Sequence, residues 1–148
     1  MRSALAGLIL AVVCSTFVAP VSAATLEQEK AFITAYKNAF ETKNEKKLHS
    51  FLYTKGADPR VLEFYKAMQS DRMSGTITKI DLVDLTPEQV QEAAEVKASP
   101  GSTGVRLPLK PVRKLVIRVV EGKSTSTSEC FVAEIGGKLV IPVPVPVQ

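Results

Sequence analysis

The apolar positions of this chain change period at Gly75. Upstream, Leu26, Phe32, Ile33, Tyr36, Ala39 and Phe40 recur at steps of three and four, which gathers them on one face of a helix. Thr25-Leu-Glu-Gln28 supplies its start, because a hydroxyl at the N-cap and a Gln at the third helical position satisfy each other's backbone N–H groups. The pattern predicts a helix from Thr25 to about Lys43. Leu48, Phe51 and Leu52 predict a second over Glu45 to Tyr53, with Gly56 ending it. Asp58-Pro59 opens a third, since Asp caps free N–H groups and Pro at the first helical position forfeits no hydrogen bond. Its apolar face is Val61, Leu62, Phe64, Tyr65 and Met68.

Past Gly75 the branched residues of Thr76 to Leu85 predict a strand. Thr86-Pro87-Glu88-Gln89 repeats the capping order and predicts a short helix to about Val96, and Ala98 to Gly104 reads as a loop. A meander follows. Val105 to Lys110 is a short strand that Pro111 interrupts. Val112 to Glu121 is a strong one, with Leu115, Ile117 and Val119 on one face and Lys114, Val116, Arg118 and Val120 on the other. Thr125 to Ile135 is the next, Gly136-Gly137 is a two-residue hairpin turn, and Lys138 to Val147 is the last strand. Pro142, Pro144 and Pro146 fall at alternate positions, so they remove N–H donors from one side of that strand only. This predicts an edge strand whose open side recruits no further chain; the other reading is a polyproline tail. Helices followed by a mostly antiparallel sheet make an α+β fold of one domain, residues 24–148.

Residues 1–23 stand apart from this pattern. Arg2 is followed by an uncharged apolar run, Ala4 to Ala19, then Pro20 and the small residues of Val21-Ser22-Ala23. This is the layout of a secretory signal cleaved near Ala23, so the expectation is an exported protein, periplasmic or secreted. An uncleaved anchor needs about 20 apolar residues, and Ser15, Thr16 and Pro20 spoil the run. Lipidation at Cys14 wants a small residue before it, where Val13 stands. Removing this segment leaves Cys130 as the sole cysteine, in an apolar strand pattern that suits a small buried core residue.

Charge adds one positive signal. The 148 residues carry 19 basic and 15 acidic side chains. Between Lys97 and Lys123, however, the bases Lys97, Arg106, Lys110, Arg113, Lys114, Arg118 and Lys123 meet a single acid, Glu121. Such segregation steers anionic partners. Arg106, Lys110, Lys114 and Arg118 are therefore the candidate anion-binding residues, with Lys114 and Arg118 on one face of a strand. The expected partner is an anionic envelope polymer, a small molecule or an acidic protein. Nucleic acid is not expected, because export removes the protein from it and no aromatic residue interleaves the bases. A homodimer is a further possibility for such a domain. One histidine and one remaining cysteine give no metal site and no cofactor is implied. No phosphate loop or nucleophile elbow is present. The weak catalytic candidates are His49, which titrates near neutral pH, with Tyr36, Tyr53 or Tyr65 as a partner, and the strand carboxylates Asp81 and Asp84.

The order of elements, three N-terminal helices and then a sheet of four to five strands, resembles the NTF2-like (cystatin-like) superfamily over nearly all of Thr25 to Gln148. The helix after the first strand departs from the simplest version of that plan. The resemblance implies helices packed into the concave side of a curved sheet, often around a pocket, and small isomerases and dehydratases of that fold use Asp, His and Tyr inside it. No motif carries their catalytic positions onto this chain. Two readings of function follow: an exported non-catalytic binding or interaction domain with an anionic ligand, or a small pocket lyase or isomerase using His49 or a strand Asp.

Overall fold

A computed structural model describes residues 24–98 and 104–147. The signal-like segment with Cys14, and most of the loop expected before Gly104, lie outside the described residues. No described helix is long and apolar enough to cross a membrane.

The local start signals act as their chemistry requires. Helix α1 (Leu26–Glu41) begins at a complete capping box, with Gln28 N donating to Thr25 Oγ1 at 3.2 Å and Thr25 N to Gln28 Oε1 at 2.6 Å. It ends by turning back on itself at Lys43 (φ 55°): Lys43 N donates to Phe40 O and Asn44 N to Ala39 O, at 3.1 and 2.9 Å. Asn44 then caps α2 (Glu45–His49) through Lys47 N. That helix is shorter than its apolar pattern predicts. Leu52 and Tyr53 leave it to form β1, pairing in parallel with Ile141 and Pro142, so a distant strand overrides the helical period. Gly56 consequently lies in the turn after β1 and does not end a helix. Asp58 and Pro59 open α3 (Pro59–Asp71) as expected, and a single 3₁₀ turn, Arg72–Ser74, leads to the sheet.

The remaining elements are β2 (Thr76–Val83), α4 (Pro87–Ala94), β3 (Val105–Arg106), β4 (Pro111–Glu121), β5 (Ser124–Ile135), β6 (Lys138–Pro142) and β7 (Val145–Pro146). The described residues thus form an α+β fold of four helices and an open five-stranded sheet in the order β1-β6-β5-β4-β2. All neighbours except β1 and β6 are antiparallel. Strands β3 and β7 make a separate two-stranded ribbon.

One face of the sheet carries the core. Leu115, Ile117 and Val119 of β4 are buried together with Ile77, Val132, Leu139 and Ile141, against Phe32, Tyr36, Ala39 and Phe40 of α1 and Leu48 of α2. Phe51 packs edge-on to Phe32, ring centres 5.3 Å apart, which closes the aromatic end of this layer.

The final strand differs from its expectation. It is flanked on both sides at β6 and breaks after Pro142, so it is neither one strand nor an edge. The proline alternation does set its bonding. Ile141 N and Val143 N donate to Phe51 O and Tyr53 O, at 2.8 and 3.1 Å, while Pro142 offers no donor. Pairing of β6 with β5 accordingly stops at Val140 and Ala133. The chain peels away, and Val147 N donates instead to Gly104 O at 2.8 Å. From Ser124 to Val132, β5 has β4 on one side and, among the described residues, no strand on the other.

Candidate functional site

Two concavities among the described residues lie beside that split. The first is interior. Tyr36 on α1, Tyr65, Met68 and Gln69 on α3, Arg72 just beyond it and Cys130 on β5 enclose about 30 Å³ of open space, filling the side of β5 that β6 leaves free. Gln69 is only 7% exposed. Its Nε2 donates to the Tyr36 hydroxyl at 3.5 Å, and its Oε1 has no partner among the described residues. Burial pushes the Cys130 thiol up to about 12, with the Arg72 guanidinium opposing. Burial also raises the Tyr36 and Tyr65 phenols, each further held neutral by Cys130 beside it. At neutral pH these groups are therefore uncharged. The space accommodates one or two waters and no larger molecule.

The second is an open groove of about 870 Å³ beneath the β3–β7 ribbon. Val96, Pro108, Val145, Pro146 and Val147 give it an apolar wall, and Tyr53, Lys55 and Arg106 supply its polar groups. Its edges are fixed by backbone bonds. Lys97 and Val105 exchange both N–H···O bonds at 2.8 Å, and Asp58 N donates to Pro144 O at 3.0 Å. Lys55 and Arg106 are exposed and make no ion pair among the described residues, and no carboxylate lines the groove among them. Two cations beside an apolar wall suit a ligand with an anionic head and an apolar body.

The candidates read from sequence are dispersed between these places. Arg106 joins the groove. Lys110 lies at a separate hollow with Val90 and Leu109. Lys114 and Arg118 share the outer face of β4, but Lys114 Nζ sits 2.9 Å from Glu129 Oε2. Because β3 pairs with β7, Arg106 does not come across from Lys114 or Arg118. His49 Nε2 lies 3.2 Å from Ser70 Oγ, packing α2 on α3 away from both concavities. Tyr36 reaches the interior space and Tyr53 the groove. Asp81, on the outermost strand, is 3.3 Å from Lys79, and Asp84 is 3.1 Å from Arg113. Lys55, Gln69 and Arg72 were not singled out by sequence. Lys55 stands outside the basic segment, beside Gly56 in the turn after β1.

Comparison with protein-family models, with the curated proteins and with the solved structures gives no match to this chain.

Proposed function

We propose that the chain is an exported, non-catalytic binding domain that takes an anionic, partly apolar ligand in the groove between Lys55 and Arg106. The observation that carries this is the pairing of two unneutralised cations with an apolar wall and no lining carboxylate among the described residues. The Tyr53 hydroxyl adds a hydrogen-bond donor at the same site. The layout of residues 1–23 supports export, and the order of helices before the sheet supports an NTF2-like classification. The lyase reading draws no help from the interior space. It is water-sized, its tyrosines and thiol are held neutral, and His49 is bonded elsewhere.

The test uses a medium-chain alkyl phosphate below its micellar concentration, and the neutral alkyl glycoside of equal chain length as control, titrated by calorimetry. The phosphate binds and the glycoside binds at least about tenfold more weakly. Lys55→Glu with Arg106→Glu weakens the phosphate about tenfold or more, and added salt weakens it in the parent protein. Equal affinity for both probes, or affinity untouched by the double reversal, overturns the reading.

A further inference from the structure

A further hollow, of about 350 Å³, opens between α3, α4 and β5. Phe64, Tyr65, Met68 and Phe131 give it an apolar, largely aromatic wall. Phe64 is 63% exposed, and its ring stands at 76° to that of Tyr65 with centres 6.3 Å apart. Such walls receive a flat ring edge-on or offset. The carboxylates here are already neutralised, Glu129 by Lys114 and Glu92 by Lys97. The hollow therefore suits an uncharged body, unlike the groove with its two unpaired cations.

This hollow leads inward. Tyr65, Met68, Glu129 and Cys130 line both it and the interior space of about 30 Å³ that contains Gln69. Those four belong to α3 and to the part of β5 that has no second strand neighbour among the described residues, so no backbone ladder closes the way between. The inner end has unmet hydrogen-bonding capacity. Gln69 Oε1 is buried without a partner among the described residues, which is an acceptor that favours any donor reaching it. Arg72 lines the same space and offers guanidinium donors but no acceptor. A hydroxyl both donates and accepts, and it is no larger than a water. An ammonium is repelled by Arg72, and a carboxylate has no proton to give Gln69.

We propose that this cleft is a second binding site, one that takes an uncharged aryl alcohol: the ring lies between Phe64, Met68 and Phe131, and its hydroxyl enters the inner space, donating to Gln69 Oε1 and accepting from Arg72. The aromatic wall supplies affinity, and the orphaned acceptor supplies selection, because an analogue without the hydroxyl proton leaves Gln69 unsatisfied. A ligand of this size held mainly by apolar contact binds with a Kd on the order of 100 µM. The site is separate from the groove and does not depend on the groove's ligand.

The test titrates the purified protein with 2-naphthol at about pH 7, where an aryl hydroxyl keeps its proton, and with 2-methoxynaphthalene as the control that cannot donate, followed by protein NMR shifts. The parent binds 2-naphthol at least about tenfold more tightly than the ether. Gln69→Leu replaces the orphaned amide by an apolar side chain, so it folds and binds the two probes within about threefold of each other. Phe64→Ala, at an exposed position, weakens both probes about equally, by about threefold or more. Lys55→Glu with Arg106→Glu leaves 2-naphthol binding unchanged. Nuclear Overhauser contacts from 2-naphthol to the Met68 methyl and the Phe131 ring in the parent decide alone should Gln69→Leu fail to fold. No binding of 2-naphthol, equal affinity for alcohol and ether in the parent, a preference that survives in folded Gln69→Leu, or contacts confined to the groove overturns the proposal.

Discussion

Arg113 Nε on β4 donates to Glu29 Oε1 on the first turns of α1 at 2.8 Å, joining the N-terminal helix to the start of β4. Both side chains are more than half covered, so neither charge is fully solvated when the other is lost. Glu29→Ala is expected to cost about 1–3 kcal/mol, because it leaves the guanidinium short of a partner. Arg113→Met with Glu29→Ala recovers part of that loss. A double-mutant cycle by urea unfolding measures the coupling, expected at about 1 kcal/mol; zero coupling removes this bond from the account of stability.

Alkaline pH supplies the second expectation. In the folded chain Cys130 titrates near 12 rather than 9.0, so between those values the unfolded chain has released a proton that the folded chain keeps. Fewer protons on the unfolded state means stability falls as pH rises. The contribution is intact below pH 9.0 and declines above it by at most about 1.4 kcal/mol per pH unit; the raised phenols of Tyr36 and Tyr65 act in the same direction from pH 10.0 upward. Urea midpoints at pH 8, 9.5 and 10.5 should therefore decrease steadily, and Cys130→Ala should flatten the first step. At pH 8 iodoacetamide should modify the native thiol at least about 100-fold more slowly than the urea-unfolded one.

The elements that read correctly from sequence are those whose causes are local. The capping boxes at Thr25 and Thr86, the Asp58-Pro59 start and the Gly136-Gly137 turn each need only a few consecutive residues. The errors have distant causes. Leu52 and Tyr53 have a helical pattern, and only Ile141, far along the chain, draws them into a strand. Val145 leaves the last strand because Arg106 is there to receive it. The groove was half legible for the same reason. Arg106 lay in a conspicuous run of bases, whereas Lys55 became its neighbour only through the folding of the final residues.

Close packing at Gly75 yields a third expectation. A Cβ there would stand 2.9 Å from Val120 O, against backbone that cannot move without shifting β4. Gly75→Ala should destabilise by about 1–3 kcal/mol. Gly136, with φ 57° and nothing near its missing Cβ, is different. Asn tolerates that conformation in a hairpin turn, so Gly136→Asn should stay within about 0.5 kcal/mol of the parent. Thermal melts of the two variants distinguish a packing limit from a torsional one.

The proposed export signal carries a fourth. Protein recovered from an exporting host should begin at Ala24 by intact mass and N-terminal sequencing. Ala24 is half-buried against the core and Thr25 caps α1, so a retained segment would emerge directly from the fold. Recovery of the chain still carrying Met1 in the membrane fraction would favour an anchor.

The position of β6 has a consequence for the order of assembly. It lies between β1 and β5, yet it is synthesised after both. Until Ile141 and Val143 exist, Phe51 and Tyr53 have no partners for their carbonyls, and the core under α1 lacks one wall. A nascent chain of the first hundred residues consequently lacks the strands β4, β5 and β6 that pack under α1, and closure waits on the pairing of Leu52 with Ile141. Under the export proposed above, a chain that closes its core this late is one that can still be threaded through a narrow pore.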